Sequence, residues 1–320
     1  MLLGIYIKNR ELVGNPRLAE MEKALVADGN ELYSICSRED VRKGTDMVLS
    51  VGGDGTFLSA SKRVADSGIP ILGVNLGRLG FLSENRPEDI PAALKNADYE
   101  LENRTMLKAS LPQTAEVPDS LSFWPYALNE ITVHRSGAAM LGINVSINGD
   151  SLPTYWADGL LVATSSGSTA YSLSAGGPIC TPDAKVLIIA PIAPHNLNVR
   201  PLVVPENTRI NISTVSRDGN VILTMDNRTL TVDDSTSIDV SVAQFSLKRV
   251  RLPKSPVFFR EGIERQIFHS GFSRNFCYFP DGFHTLLVTT NTFKAPFLSP
   301  TSVSVHDDGH VDRYSAVVFH

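Results

Sequence analysis

The chain reads Met47-Val48-Leu49-Ser50-Val51-Gly52-Gly53-Asp54-Gly55-Thr56 at the point that decides its fold. Residues 47–51 are mostly apolar, which is typical of a buried strand, and the glycines after them allow the backbone to turn tightly. Residues 56–65 then have the pattern of a helix. A buried strand that turns into a helix in this way is typical of a parallel sheet covered by helices.

The segments around this turn continue the alternation of strands and helices. Residues 3–7, 31–35 and 69–74 predict further strands, and residues 16–27 have the apolar spacing of a helix. We therefore expect residues 1–104 to form an α/β domain with a parallel sheet.

The pattern changes near residue 105, where short alternating runs replace the helical ones. Asn148-Gly149 is a strong hairpin signal after the run 143–147. Further runs at 209–212, 221–225 and 237–242 also predict strands, and one helical stretch is expected near 168–174.

These patterns predict a second domain with a different architecture. We expect residues 105–255 to form a β-rich domain. The segment 256–270 is expected to return to the first domain, and the tail 271–320 fits neither pattern and stays unassigned.

Composition and charge exclude several classes of protein. The net charge is −5 and the chain has no long basic run, which argues against a nucleic-acid-binding protein. No segment is long and apolar enough to cross a membrane, and the apolar start lacks the basic leader of a signal peptide. Cys36, Cys180 and Cys277 stand far apart, so neither a disulfide framework nor a zinc ribbon is indicated. A reducing compartment fits, and we expect a cytoplasmic protein.

The glycine turn at 52–56 suggests phosphate chemistry. Glycines let a phosphate approach the backbone N–H groups, and the N-terminus of the following helix favours an anion. Asp54 is unusual there because a carboxylate repels phosphate, so it indicates proton transfer or cation binding; the alternative is a plain helix N-cap. Neither the P-loop pattern nor the Rossmann glycine pattern occurs in the chain.

Five ordered motifs over roughly residues 1–265 resemble the NAD kinase family. The first is shared with a wider superfamily that includes lipid kinases and phosphofructokinases, whereas the later ones separate the family from these relatives. The motifs are Gly52-Gly53-Asp54-Gly55-Thr56, Asn75-Leu76-Gly77-Arg78-Leu79-Gly80-Phe81-Leu82, Asn129-Glu130, the block 158–178, and Pro191-Ile192-Ala193-Pro194-His195 with Arg200-Pro201-Leu202-Val203.

The resemblance implies a two-domain fold, an activity and a set of site residues. It implies that the α/β domain at 1–104 binds nucleotide and that the β-rich domain at 105–255 binds NAD. The activity is transfer of a phosphate from ATP to the adenosine-ribose 2′-hydroxyl of NAD, with Asp54 as the catalytic base. The phosphates of ATP would be bound by Gly52, Gly53, Gly55, Thr56 and Arg78. The residues implied to bind NAD are Asp54, Gly55, Phe81, Asn129, Glu130, Asp158, Ser166, Thr169, Ala170, Tyr171, Ser174, Ala193 and Asp226.

A divalent cation, most readily Mg²⁺, is expected as the cofactor. Phosphoryl transfer depends on charge neutralisation, and few basic residues, Lys62, Arg63 and Arg78, stand near the glycine turn in sequence. The metal ligands are left unknown. The expected partners are NAD and ATP, with neither nucleic acid nor membrane, and the resemblance implies a homo-oligomer, a dimer or a tetramer.

Several positions depart from the family pattern or allow a plainer interpretation. Ser165 replaces a common proline, Trp156 stands where many members carry a basic residue, and Asn227 follows Asp226 where some have histidine or glycine. Without their context, Asn129-Glu130 would be a turn before a strand and Tyr171 a core residue. His306 and His310 are not expected to bind a metal, because Gly309 interrupts any helix that would align them.

Two other functions remain open from the residues alone. One is a dinucleotide-binding module that has kept the fold and lost the reaction, since fold does not determine function. The other is a lipid kinase of the same superfamily, against which the block 158–178 argues.

Overall fold

The structure is a computed structural model that describes residues 1–77, 80–112 and 124–253. All of them lie in one compact unit, Met1–Ile263. Arg78, Cys277, the predicted returning segment 256–270 and the tail 271–320 lie outside the described residues.

The described residues form three sheets, one of them mixed and two antiparallel. In chain order the strands are β1 (Leu2–Ile7), β2 (Glu31–Ile35), β3 (Met47–Val51), β4 (Ile71–Val74), β5 (Glu100–Arg104), β6 (Leu107–Ser110), β7 (Tyr126–Ala127), β8 (Glu130–Arg135), β9 (Leu141–Ile147), β10 (Asp150–Ser151), β11 (Tyr155–Ala157), β12 (Gly159–Thr164), β13 (Val186–Ile192), β14 (Leu202–Pro205), β15 (Ile210–Val215), β16 (Asn220–Met225), β17 (Arg228–Asp233), β18 (Ile238–Val242) and β19 (Leu247–Arg251).

Four α-helices and three short 3₁₀ turns accompany the strands in this part of the chain. The first helix begins where the sequence predicts, because Asn15 caps it: its side chain accepts a hydrogen bond from the Arg17 backbone N–H at 3.0 Å. The helices are α1 (Pro16–Ala27), α2 (Asp54–Val64), α3 (Ile90–Lys95) and α4 (Tyr171–Ser174), and the 3₁₀ turns are Arg10–Leu12, Pro87–Asp89 and Ser166–Thr169. None of the helices in the described ranges is long and apolar enough to cross a bilayer.

The first sheet has the order β2-β1-β3-β4-β19-β5, and its strands are parallel except for β5, which pairs antiparallel with β19. Helix α1 buries Leu18, Met21 and Leu25 on one face of this sheet. Helix α2 buries Phe57 and Val64 on the opposite face. The predicted α/β architecture with a parallel sheet is therefore confirmed.

The last described strand joins this sheet and not the β-rich region. Strand β19 lies inside the range 105–255 that the sequence analysis assigns to the β-rich domain, yet it pairs with β4 and β5. The physical reason is burial on both faces of the first sheet: Val250 and Leu252 pack with the α1 side and Leu247 with the α2 side. An alternating sequence run shows that a strand forms but not which sheet it joins.

The other two sheets pack face to face around a shared hydrophobic core. One has the order β10-β9-β15-β18-β6-β7, with β11 also paired to β9, and the other has the order β14-β13-β12-β8-β16-β17. Alternate residues of each strand point into the core, so that Ile131 and Val133 of β8 lie inside. Glu130, Thr132 and His134 consequently lie on the outer face of the third sheet.

Two hairpins in this region have two-residue turns. Asn148 and Gly149 both have positive φ, 52° and 98°, and join β9 to β10, so the predicted hairpin is confirmed. Asp226 has φ 53° at the turn that joins β16 to β17. That backbone conformation is uncommon for a residue other than glycine, and it places the Asp226 side chain beside β8.

Candidate active site

The glycine turn between β3 and α2 presents exposed backbone. Gly52 has φ 143°, and a Cβ there would lie 2.9 Å from the Cβ of Thr56, so the turn requires glycine at this point. Gly53 and Gly55 are exposed, and no heavy atom lies within 4 Å of where their Cβ atoms would be. The first N–H groups of a helix have no partner within it, so this turn is able to receive an anionic ligand.

Asp54, the first residue of α2, is held by the backbone of the loop after β4. Its Oδ2 accepts a hydrogen bond from the Phe81 N–H at 2.9 Å, and its Oδ1 accepts from Leu82 and Ser83 at 3.0 Å each. A carboxylate offers about four lone-pair directions, two on each oxygen. Oδ2 therefore keeps capacity for one more hydrogen bond, and the half-buried side chain is oriented and still accessible.

The loop that binds Asp54 is shaped by two features. A Cβ at Gly80 would lie 2.6 Å from the carboxyl carbon of Asp54, so a side chain is excluded there. Asn75 is buried; its Nδ2 donates to the Ser83 carbonyl at 2.8 Å and its Oδ1 accepts from Gly77 at 2.7 Å. These contacts fix the curvature that directs three successive N–H groups at one carboxylate.

A second carboxylate is bound in the same manner on the third sheet. Asp226 accepts hydrogen bonds from the backbone N–H groups of Leu128, Asn129 and Glu130 at 2.9, 2.8 and 3.3 Å. Burial raises the pKa of Asp226, and these amides and the Arg228 guanidinium act in the opposite direction. The Asp226 carboxylate thus fixes the backbone at the start of β8.

Glu130 is a buried carboxyl group with an unusual titration. Burial, and then the nearby charge of Asp226, raise its pKa to about 8, although the Tyr171 backbone N–H donates to it. Its Oε2 is buried without a hydrogen-bond partner among the described residues. At neutral pH this carboxyl keeps its proton and is able to donate a hydrogen bond.

The turn after β12 packs directly onto Asn129. The Thr164 hydroxyl donates to the Leu128 carbonyl at 2.6 Å and accepts from the Gly167 N–H at 3.1 Å. A Cβ at Gly167 would lie 2.6 Å from the carbonyl carbon of Asn129, so the two segments touch backbone to backbone. Ser166, Thr169, Ala170 and Tyr171 are thereby brought next to Asn129 and Glu130.

Two residues that sequence reasoning missed complete this side. The His134 ring stacks on the Tyr171 ring, with centroids 5.9 Å apart and planes 11° apart, and burial lowers the pKa of His134. Arg135 pairs with Asp158 at 2.7 Å. The register of β8 against β12 places Gly159 opposite His134, a pairing across 25 positions that no local motif signals.

The remaining predicted residues lie at the rim of this group. Ala193 follows β13 with φ 47°, a strained conformation for alanine, and it is adjacent to Asp158 because the Asp158 N–H donates to the Ile192 carbonyl at 3.0 Å. Ser174 is exposed at the end of α4. Arg78 lies outside the described residues.

The structure brings the predicted residues together in two groups. Asp54, the glycine turn and Phe81 form one, and the residues around Asn129 and Glu130 form the other. Leu82 and Leu128, one from each group, belong to the same buried cluster as Phe57. The two groups therefore adjoin the same packed hydrophobic cluster.

A basic pocket lies beside α2, with a volume of about 420 Å³. Arg38, Lys62, Arg63 and Trp124 line it together with Cys36, Ser37 and Glu39. Burial and the neighbouring charges of Arg228 and Arg63 lower the pKa of Lys62, which reflects an excess of positive charge there. The motifs did not indicate Arg38 or Trp124, since both stand outside them.

Within the described ranges, no group of three or more His, Cys, Asp or Glu side chains is arranged to bind a metal. Asp54 is the carboxylate at the glycine turn, and the carboxylate of Asp226 is occupied by backbone N–H groups.

Comparison with known proteins identifies the family. The model of the ATP-NAD kinase N-terminal domain matches residues 18–98, and that of the C-terminal domain matches residues 128–252. An NAD kinase of Flavobacterium psychrophilum is 42% identical over 229 residues, which cover 70% of this chain and 77% of the relative. The chain belongs to the NAD kinase family. An NAD kinase of Bacteroides fragilis is 44% identical over 210 residues, covering 64% of this chain and 71% of that protein.

Solved structures of the NAD kinase family have the same fold. The crystal structure of an NAD kinase from Archaeoglobus fulgidus in complex with ATP superposes with a TM-score of 0.66 at 28% identity, covering 79% of this chain and 95% of that one. A yeast NADH kinase complexed with NADH gives a TM-score of 0.71 at 25% identity, covering 86% and 90%. The two-domain NAD kinase fold expected from the motifs is confirmed.

Proposed function

We propose that this member of the NAD kinase family transfers the terminal phosphate of ATP to the 2′-hydroxyl of the adenosine ribose of NAD, giving NADP and ADP. The observation that carries the proposal is the Asp54 carboxylate, held by three amides at an exposed glycine turn with one oxygen still able to accept a hydrogen bond. The Asp54 carboxylate is thus held in one orientation and is still able to accept one more hydrogen bond.

In the proposed reaction the ribose 2′-oxygen attacks the terminal phosphorus of ATP. Its proton passes to Oδ2 of Asp54 as the new oxygen–phosphorus bond forms. The bond from that phosphorus to the bridging oxygen breaks, and ADP leaves with the electron pair. Positioning and charge neutralisation supply most of the acceleration in such transfers, which suits a site built from backbone amides.

The proposed NAD side is the group around Asn129 and Glu130. The protonated Glu130 carboxyl would donate a hydrogen bond to a ribose oxygen, and the Asn129 amide lies beside it. The stacked rings of Tyr171 and His134 offer a flat surface for an aromatic base next to Asp158. Phe81, Ser166, Thr169, Ala170, Ser174, Ala193 and Asp226 are proposed to contact or shape the same site.

The proposed donor side is the glycine turn, where the exposed Gly53 and Gly55 would direct their amides at the phosphates. The amides of Gly52 and Thr56 donate to the carbonyls of Val74 and Gly53, so these two residues would shape the turn. The basic pocket lies toward the other end of α2, because Lys62 follows Gly53 by roughly 14 Å along the helix axis at 1.5 Å per residue. Arg78 is proposed from the motif alone.

The residues at the turn fit a divalent cation that binds together with the donor. Mg²⁺ usually keeps several waters and binds through the substrate's phosphates. Because the one open position on the Asp54 carboxylate is assigned to the ribose hydroxyl, the phosphates of the donor would supply the ligands of the cation other than water. When bound, the cation would neutralise charge on the phosphates. The protein itself would hold Asp54 in place and direct the backbone amides of the glycine turn at the phosphates.

The remaining proposals concern assembly and location. Exposed apolar side chains lie on edge strand β14 (Leu202, Val203) and on β11 (Trp156), and self-association would bury them. Sedimentation measurements would give the subunit count. A cytoplasmic location and a domain division at residue 104 are also proposed, with the β-rich domain ending before β19, which belongs to the first sheet. The free thiols of Cys36 and Cys180 fit a reducing compartment.

The test is an assay of NADP formation by the full chain with NAD and ATP. Asp54→Asn keeps the size of the side chain but removes the base, so turnover should fall about 10²–10⁴-fold while NAD still binds. Asp66→Asn, an exposed residue just after α2, is the matched control and should retain turnover. Near wild-type turnover in Asp54→Asn would exclude the base. NAD binding without turnover in the wild type, or turnover of a lipid instead, would assign one of the other two functions.

A further inference from the structure

Four charged side chains form a connected chain in the interior between β5, β19 and the loop after β4. We call Glu84, Glu102, Arg104 and Arg249 the buried charge chain. Arg249 pairs with Glu84 and, at 3.0 Å, with Glu102, whose same oxygen pairs with Arg104 at 2.5 Å. The side chains of Arg249, Arg104 and Glu84 are 4%, 6% and 9% exposed, so solvent hardly reaches the pair of Arg249 and Glu84, whereas Glu102 is 28% exposed.

The buried charge chain begins next to Asp54. Glu84 directly follows the three residues, Phe81 to Ser83, whose N–H groups bind the Asp54 carboxylate. Its pair with Arg249 ties that loop to the first sheet at β19, the strand between β4 and the edge strand β5. A displacement of Glu84 would therefore shift the donors that hold Asp54.

The other end reaches the turn that packs on Asn129. Arg104 donates from Nη1 to the Ser166 hydroxyl at 3.4 Å. The chain of contacts thus runs from the loop around Asp54 to the segment beside the proposed NAD site.

Such an arrangement is costly for the fold. Burial raises the pKa of Glu84 and lowers that of Arg104, each against its charged form. The Nε atoms of Arg104 and Arg249 are buried without an acceptor in the described ranges. Since apolar residues often replace buried ion pairs without loss of stability, stability alone does not account for this cluster.

We propose that Glu84 and Arg249 are positioning residues for phosphoryl transfer, which hold the loop of Phe81 to Ser83 so that Asp54 faces the reacting hydroxyl. The inference rests on the proposed function. It identifies two residues outside the sequence motifs, one of them more than 190 positions from Asp54, that act through Asp54 and touch neither substrate.

The test compares Arg249→Met with Arg251→Met in the full chain. Arg251 lies on the same strand and pairs with Glu100 and Glu102 but has no ion pair to Glu84, so it controls for the loss of an arginine from β19. Arg249→Met should lower kcat roughly 10–100-fold with the KM values for NAD and ATP within about twofold of wild type, because small displacements of reacting groups have effects of this size. Arg251→Met should leave kcat within about twofold.

A double variant separates positioning from general damage. If Arg249 acts through Asp54, its substitution should have little effect once Asp54 is lost. The double variant of Asp54→Asn with Arg249→Met should then have a turnover within about twofold of that of Asp54→Asn alone. Arg249→Lys, which keeps the charge opposite Glu84, should recover part of kcat, and Glu84→Gln gives a second variant should Arg249→Met fail to fold.

Two results would overturn the inference: equal kcat in the Arg249→Met and Arg251→Met variants, or the same fold-loss from Arg249→Met with and without Asp54. If Arg249→Met does not fold, a Glu84→Gln variant with wild-type kcat would overturn the inference. Failure of the proposed function is distinct, because the wild-type chain itself would then form no NADP.

Discussion

Gly80 shows how much of the candidate site depends on the space left by one residue. It precedes the three amides that bind Asp54, and the Asp54 carboxyl carbon occupies the place beside its absent side chain. The sequence indicated Gly80 as a residue of interest, because it belongs to the motif at 75–82. The contact with Asp54, 26 positions away, could not be predicted, because spacing alone does not show which carboxylate a loop folds over.

Gly80→Ala is expected to impair turnover more than it impairs stability. The added methyl would lie 2.6 Å from the Asp54 carboxyl carbon, so either the carboxylate or the loop has to move. We expect kcat to fall by at least about tenfold, since misplacement of a catalytic group is costly. Gly77→Ala is the control in the same loop, where the nearest atom to a Cβ is 4.0 Å away. Equal kcat values for the two variants would contradict the steric argument.

Glu130 makes the stability of the fold depend on pH. Its pKa rises from 4.5 in the unfolded chain to about 8 in the folded one, so between these values the folded state holds a proton that the unfolded state has released. The stability contributed by the group is complete below pH 4.5 and is lost as the pH rises toward 8.

Glu130→Gln should therefore stabilise the protein in alkaline but not in acid solution. Glutamine matches the protonated carboxyl in size and does not ionise, so the two proteins should have similar thermal midpoints near pH 5. Near pH 8 the variant should be more stable by on the order of 2–5 kcal/mol. Thermal unfolding at both pH values measures this, with the exposed Glu20→Gln as control. A midpoint difference that is the same at pH 5 and pH 8 would show that Glu130 titrates normally.

At the scale of elements, the turn from β3 into α2 has too little charge of its own for a triphosphate. A helix N-terminus provides roughly half a positive charge. Helix α2 carries Asp54 in its first turn, and its two basic residues, Lys62 and Arg63, stand in its last turn. A further positive charge has to accompany the donor.

Excess chelator is accordingly expected to abolish NADP formation, and added Mg²⁺ to restore it. The measurement is the rate of NADP formation that remains in excess chelator. NAD binding under the same conditions is the control, because it shows that the protein is still folded. Full turnover in chelator would contradict the requirement and would assign charge neutralisation to the side chains of the basic pocket.

Local sequence predicted the elements well where one residue pattern fixes them. Helix α1 has the predicted bounds, 16–27, because an N-cap and an apolar stripe occur together. The stretch predicted as helical near 168–174 is instead a 3₁₀ turn followed by the four residues of α4. Its serine hydroxyls explain the difference: the Ser168 side chain bonds the backbone at Ser165 and Cys180, which competes with helix formation.

At the scale of the whole molecule, the sequence predicts that residues 271–320 are dispensable. Every motif precedes residue 205, and the two family domains match only as far as residue 252. A chain that ends at Ser270 is expected to keep comparable turnover, with an unchanged or higher thermal midpoint. Loss of folding or of NADP formation in that chain would show that the tail completes the core and that the proposed domain boundaries are wrong.

Long-range pairing is what the sequence did not predict at this scale. Strand β19 was not among the strands predicted from the sequence, and its partners, β4 and β5, lie about 145 to 180 positions earlier. The buried charge chain depends on the same pairing, because Arg249 meets Glu102 across β19 and β5. Neither spacing nor composition records such contacts.

The insertion of β19 between β4 and β5 also affects how the protein is made. While the ribosome adds the residues between Val74 and Leu247, the nascent sheet lacks the strand that joins β4 to the edge strand β5. At about 5–20 residues per second this interval lasts roughly 10–35 s. An open strand edge is a template for pairing with other chains, so the edge of β4 stays available for such pairing until β19 emerges.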